Sequence, residues 1–175
     1  MIRFSRFMLL IGFCMSPLFA YADDSLLMTP TVNQCSLEHI ASEPKPALEE
    51  CLNSAQLGYA DAQFVLGEYW YQGQYAPRDF QQAIKWFEQA SVQGHAMAQL
   101  RLGSMFYRGE GVPANSIQAY IVLKMSAING SDEAIDSADQ VALQMQRDEL
   151  EIADQVLAQI FRSYLLELSN EAIAP

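Results

Sequence analysis

From Gly58 the chain reads GYADAQFVLGEYWYQGQYAPRDFQQAIKWFEQASVQ, and from Gly94 to Asn129 it reads GHAMAQLRLGSMFYRGEGVPANSIQAYIVLKMSAIN. The second string is the first displaced by 36 residues. Gly58 falls on Gly94, Ala62-Gln63 on Ala98-Gln99, and Leu66-Gly67 on Leu102-Gly103. Tyr71, Gly73 and Pro77 fall on Tyr107, Gly109 and Pro113, while Gln82-Ala83 falls on Gln118-Ala119. Gly130 opens a third register. A fixed period of this length marks stacked helix-turn-helix units, because one hairpin alone leaves its apolar face in water.

Within a unit each recurring residue has a mechanical task. The spacing of Ala62, Leu66, Tyr69 and Trp70 predicts a first helix from Ala60 to about Gln72. Gly73 ends it, since glycine accepts the positive φ of a helix stop. Pro77 blocks continuation, and Asp79 is placed to cap a second helix, with Gln82 completing a capping box. That helix runs through Ala83, Ile84, Trp86, Phe87 and Ala90 to Gly94. Gly67, Gly103, Ala83 and Ala119 are small enough for two antiparallel helices to approach closely. In the second copy Asn115 and Gln118 supply the cap, and Gly111-Val112 stands where the first has Tyr75-Ala76. Ile121-Val122-Leu123 replaces an aromatic pair there, so its layer is expected to pack differently.

The pattern Leu66-Gly67…Tyr71-Gln72-Gly73…Pro77-Arg78-Asp79…Ala83…Trp86-Phe87…Ala90…Gly94 resembles the Sel-one-like repeat (SLR) family, relatives of the tetratricopeptide repeat. The resemblance implies an all-α fold: a short right-handed α-solenoid of antiparallel helix pairs with degenerate caps at both ends. The expected order is 46–57 as a leading half-repeat, 58–93 and 94–129 as repeats, 130–168 as a degenerate helical cap, and 169–175 as a tail. It further implies an adaptor or assembly factor whose first helices line a concave face. By position that face takes Glu68, Tyr71 and Gln72 from the first copy and Ser104, Tyr107 and Arg108 from the second. Two tyrosines, an arginine and amide or hydroxyl groups suit recognition of a peptide or protein segment. The opposing reading is that Tyr71 and Tyr107 recur because they pack in the core.

Residues 1–22 read as an export signal. Arg3 and Arg6 precede an apolar run from Phe7 to Phe19, and Ala20-Tyr21-Ala22 offers a small-x-small cleavage site. The run is shorter than the roughly 20 residues of a spanning helix. Phe13 before Cys14 is too bulky for a lipoprotein signal. Cleavage after Ala22 leaves 8 basic against 21 acidic residues, a formal charge of −13. Such an excess disfavours nucleic acid and anionic membrane surfaces and favours solubility. The expected place is periplasmic or secreted, with no stable membrane insertion of the mature chain.

Export makes Cys35 and Cys51 the only remaining pair of thiols, in a compartment that permits oxidation. Residues 23–45 are expected to form an arm with a short helix from Ser36 to Ser42, Leu37 and Ile40 facing inward. Sliding the repeat back by one period puts Cys51 on Phe87 and Ala47 on Ala83, so Ala47 to Leu57 reads as a second helix. Pro44-Lys45-Pro46 is then the break before it. A Cys35–Cys51 disulfide would staple this incomplete unit to the stack; the other reading is a buried Cys51 thiol and a loose Cys35. Neither a Cys-x-x-Cys nor a matched His pair supports a metal.

Past Gly130 the period decays, as terminal repeats do. Ser131 is placed to cap a helix from Asp132 to about Gln146, and Asp148 with Glu151 makes a further capping box. The helix it opens carries Ile152, Val156, Leu157, Ile160, Phe161, Tyr164, Leu165 and Leu168 on one broad stripe. That stripe is expected to cover the second repeat; a homodimer or partner helix docked on surplus apolar surface is the other use of it.

No catalytic set is expected. His39 and His95 lack a ligand or nucleophile at motif spacing, no serine sits in a nucleophile elbow, and no glycines form a phosphate loop. Asp132, Glu133, Asp136 and Asp139 have helical spacing, which is that of a solvated face and not of a calcium loop. The function expected from the resemblance is a non-catalytic adaptor with a protein or peptide partner in the cell envelope and no cofactor. Two competing readings are a cell-wall-directed enzyme, like the cysteine-rich relatives linked to β-lactam binding, and a secreted effector of a host protein.

Overall fold

A computed structural model of the chain describes residues 35–171. The expected leader, most of the arm and the last four residues of the tail lie outside the described residues. Eight α-helices and no strand occur among those described. They are α1 (Leu37–Ser42), α2 (Pro44–Gln56), α3 (Ala60–Gln72), α4 (Phe80–Ser91), α5 (Ala96–Arg108), α6 (Ser116–Ile128), α7 (Asp132–Ala142) and α8 (Arg147–Glu171). Consecutive helices stack on one another from α1 to α7, and α8 lies along α6. This is the all-helical solenoid expected from the repeat.

The stops fall where the glycines are. Gly73 and Gly109 close α3 and α5 at φ 68° and 71°, a left-handed conformation that a side chain would strain. The chain then turns, and Asp79 and Asn115 start the second helices, their side chains accepting from the Gln82 and Gln118 amides at 3.0 and 2.9 Å. The reciprocal half of the expected capping box is replaced by another bond. The Asp79 amide donates to the Trp70 carbonyl at 3.0 Å, and Asn115 to Phe106 at 2.8 Å, tying each loop back onto its first helix.

Three other expectations need correction. Pro44 and Pro46 do not break the chain; they form the first turn of α2, where a missing amide proton costs nothing because no intrahelical acceptor awaits it. The α7 helix stops at Ala142, short of Gln146, and Ser131 precedes it without a side-chain cap bond. The box that opens α8 sits two residues early: Glu149 Oε2 accepts from the Gln146 amide at 2.8 Å. Elsewhere the leading unit matches expectation, with Ser36 capping α1 through the His39 amide, Ile40 buried, and Cys35 joined to Cys51 by a disulfide.

The core runs the length of the stack in three linked patches. Ile40, Ala47, Cys51, Ala55 and Leu66 gather under the first unit, and Ala83, Phe87, Ala98, Leu102 and Met105 under the second. Leu100, Ala119, Leu123, Ala138 and Leu157 form the third. A Cβ built on Gly67 would collide with the fully buried Phe87 ring; one on Gly103 would lie 2.7 Å from Leu123 Cγ. Leu123 therefore fills, with less bulk, the space that Phe87 fills one period earlier.

A second device joins the units, and it is polar. Gln63 and Gln99 are buried, and each bonds through its Nε2 to the unit before it and through its Oε1 to the last residue of its own unit. Gln63 Nε2 donates to the Ala55 carbonyl at 3.0 Å and its Oε1 accepts from Gln93 at 2.7 Å. Gln99 Nε2 donates to the Ser91 carbonyl at 2.9 Å and its Oε1 accepts from Asn129 at 2.8 Å. Every partner in the second set lies 36 residues after its counterpart in the first.

Three measurements check this account. Gly67→Val should cost about 1–3 kcal/mol in a denaturant titration, and more than Gly103→Val, because an aromatic ring yields less than a leucine. Equal midpoints for both variants and the parent would refute the close approach. Gln99→Leu, similar in volume, should cost about 1–2 kcal/mol by leaving the Asn129 amide without its acceptor; an unchanged midpoint would mean the ladder contributes nothing. Reduction of the disulfide should lower amide protection in α1 and α2 while leaving α3 to α6 protected, a loss of roughly 3 kcal/mol on the chain-entropy account. Two free thiols in the native, oxidised protein would contradict it.

Candidate functional site

The first helix of each unit touches the first helix of the next: α1 meets α3, α3 meets α5, and α5 meets α7. Among the second helices only α6 and α8 make comparable contact. The helices α1, α3, α5 and α7 thus lie side by side as one layer, the layer on which the binding face was expected.

All six residues expected on that face stand on α3 and α5. Two polar knots draw four of them together. In the first, Glu68 is buried and its carboxylate is fully engaged: Arg101 Nε donates at 2.7 Å and Gln72 Nε2 at 2.6 Å. Removing either donor would leave a buried charge short of partners, which is why this carboxylate is structural as much as it is available. In the second knot the Tyr71 hydroxyl donates to Glu110 Oε2 at 3.2 Å, and Arg108 Nη1 donates to the same hydroxyl at 3.4 Å. Arg108 also lies 3.8 Å from Glu110 Oε1. Ser104 and Tyr107 belong to neither knot; both are half-buried, with Tyr107 packed against the third core patch.

Tyr71 serves both readings of its recurrence. Its ring packs on Phe80 and Phe87, at 5.6 and 6.4 Å between centroids, while its hydroxyl reaches the surface knot. Burial raises its pKa above the usual phenol value; the Glu110 charge and hydrogen bond raise it further against the opposing pull of Arg108 and Arg101. The hydroxyl therefore remains a neutral donor beside a carboxylate and an exposed guanidinium. Such a cluster can recognise backbone carbonyls, amides and acidic or basic side chains of an extended segment.

Arg101 and Glu110 were not foreseen. The partners that join α3 to the next unit sit 33 to 39 residues apart, one period give or take a turn. Pairing each polar first-helix residue with those about one period later would have found them.

The histidines are placed by other needs. His95 caps α5, Nδ1 accepting from the Ala98 amide at 3.1 Å, with Nε2 3.3 Å from Asp61 and the ring stacked on Phe64. His39 lies 3.9 Å from Glu50, across from α1 to α2. Asp132, Glu133, Asp136 and Asp139 are all exposed, and no group of three potential ligands among the described residues is placed to hold a metal. Tyr120 has its pKa raised by burial and then by Asp154 and Asp139, so its hydroxyl stays protonated beside the two carboxylates.

A model of the Sel1 repeat matches residues 60–95 and 96–131. A protective antigen of uropathogenic Escherichia coli with an SLR fold superposes at TM-score 0.65 and 27% identity, covering 76% of this chain and 29% of its own. A Sel1 repeat protein of Oxalobacter formigenes gives TM-score 0.51 and 29% identity over 53% of this chain and 37% of its own. Cysteine-rich protein B of Helicobacter pylori gives 0.51 at 22% identity over 53% and 70%, a likeness of fold alone. The chain thus spans about a third of the length of the first two. No curated protein matches the sequence. Residues 60–131 thus carry two tandem Sel1 repeats, units that generally serve protein–protein interaction, in a fold similar to that of SLR proteins.

Proposed function

We propose that the chain is an exported, non-catalytic adaptor that holds a protein or peptide segment on the face formed by α3 and α5, in the periplasm or outside the cell. The observation that carries this reading is the Tyr71–Arg108–Glu110 knot, because it spans both repeats and leaves Arg108 exposed. A ligand held there engages two units at once, so repeat spacing and recognition are coupled. Glu68, Gln72, Ser104 and Tyr107 would form the floor and margin of the same surface. The net charge of −11 favours a segment with basic flanks.

Export is supported by the signal-like start and by the Cys35–Cys51 disulfide, a bond typical of oxidising compartments. No helix among the described residues is long and apolar enough to cross a membrane. The likeness to a protective antigen fits a place outside the cytoplasm.

The test is affinity capture from envelope extract with the native chain beside Tyr71→Phe/Arg108→Ala. Phenylalanine is chosen because the ring supports Phe80 and Phe87, so only the hydroxyl is removed. A discrete protein held by the native chain should bind the variant at least about tenfold more weakly, as loss of a hot spot would give, at an unchanged melting temperature. Equal capture by both would sink the concave-face reading.

A further inference from the structure

The last helix does more than close the stack. Its first half lies against α6, with Ala153 and Leu157 buried. Its second half continues past that support. Of the stripe expected to cover the second repeat, the side chain of Leu168 lies outside the described residues; among the others Leu157 is buried, while Ile152, Val156, Ile160, Phe161, Tyr164 and Leu165 are 37–63% exposed. Ile160, Phe161 and Tyr164 form one wall of an open cleft of about 420 Å³ whose other wall joins Val92, Met125 and Ile128 to the polar Ser91, Gln93, Gln99 and Asn129.

We propose that this surface is the seat of a symmetric homodimer in which the α8 helices of two copies pair antiparallel about a two-fold axis near Ile160. Three observations select a second copy. The first is area. The five stripe residues within about 100° of Ile160 around the helix leave on the order of 500 Å² of side chain in water, within the upper range of what a monomer shows in one patch. Val92 and Ile128, 85% and 58% exposed on the facing wall, bring the sum toward the roughly 800 Å² that one partner gives a standard interface.

The second is charge. From Gln155 to Leu166 the chain has one charged residue, Arg162, in a molecule with 21 acids and 10 bases. Two copies of net charge −11 would repel nearly anywhere else, but here the acids are absent. The third is self-complementarity, which a two-fold interface demands. Inverting the helix about Ile160 sets Val156 of one copy against Tyr164 of the other, an aliphatic side chain against an aromatic one. Arg162 points to the opposite side of the helix from Ile160.

The pairing rests on α8 alone and is independent of the partner reading above, since neither Tyr71 nor Arg108 takes part. Sedimentation velocity of the intact chain should show a concentration-dependent dimer. Ile160→Glu/Tyr164→Glu, which places acids on an exposed helical face without disturbing the helix, should weaken it at least about tenfold at unchanged helicity. Under mild oxidation Ile160→Cys should give a covalent dimer and Arg162→Cys should not. A chain that stays monomeric well above micromolar concentration overturns the proposal, even if it takes up an apolar peptide from another source. So does a dimer that the paired glutamates leave intact, or cross-linking that is equal at 160 and 162.

Discussion

Two buried glutamines set the spacing of this solenoid. A stack of hairpins held by apolar contact alone is free to slide, because apolar attraction has no direction. Gln63 and Gln99 remove that freedom. Each reaches back to a carbonyl at the end of the preceding second helix and accepts an amide from the end of the following one. A buried amide tolerates one arrangement in which all its bonds are made and penalises the rest. The repeat length is therefore written in hydrogen bonds as well as in volume. The polar knots between α3 and α5 depend on it, since Arg101 meets Glu68, and Arg108 meets Tyr71, only if neighbouring units keep this register.

The parts of the fold that were legible are those in which one residue does one mechanical job. Gly73 and Gly109 stop helices, Asp79 and Asn115 start them, and Gly67 lets Phe87 come close; each of these follows from local chemistry. The misreadings arose where a residue type has two uses. Proline breaks a helix interior but suits a first turn, and Pro44 and Pro46 took the second role. A glutamine three residues after a cap suggests a reciprocal bond, but the Trp70 and Phe106 carbonyls reach the cap amides first. Where three acidic residues crowd one helix start, as at Asp148, Glu149 and Glu151, the expected box used Glu151, but Glu149 makes the bond, to the amide of Gln146.

At the candidate site the same ambiguity divides single side chains. Tyr71 is core at its ring and surface at its hydroxyl, so a choice between packing and binding was the wrong question. Glu68 looked like a surface acid and is buried, because Arg101 arrives from the next unit to hold it. A residue's neighbours in a solenoid lie one period away, and a reading confined to one unit omits half of each site. The 36-residue shift that revealed the repeat also indexes its contacts.

The two ends of the stack solve the same problem in different ways. Each end of the described stack has an apolar face to cover. At the N-terminal end a short helix and a proline-started helix, clamped by Cys35–Cys51, supply enough cover to bury Ile40 and Cys51. The C-terminal end has no such clamp, and α8 outruns the helix it leans on. Its second half exposes Ile160, Phe161, Tyr164 and Leu165, where a plain cap would turn polar. That exposure is intelligible if the cover comes from outside the protomer, because a chain this acidic gains nothing in solubility from an exposed phenylalanine, tyrosine and leucine. A disulfide closes one end within the molecule; at the other, closure by a second copy would leave the α3–α5 face of each protomer open to a partner.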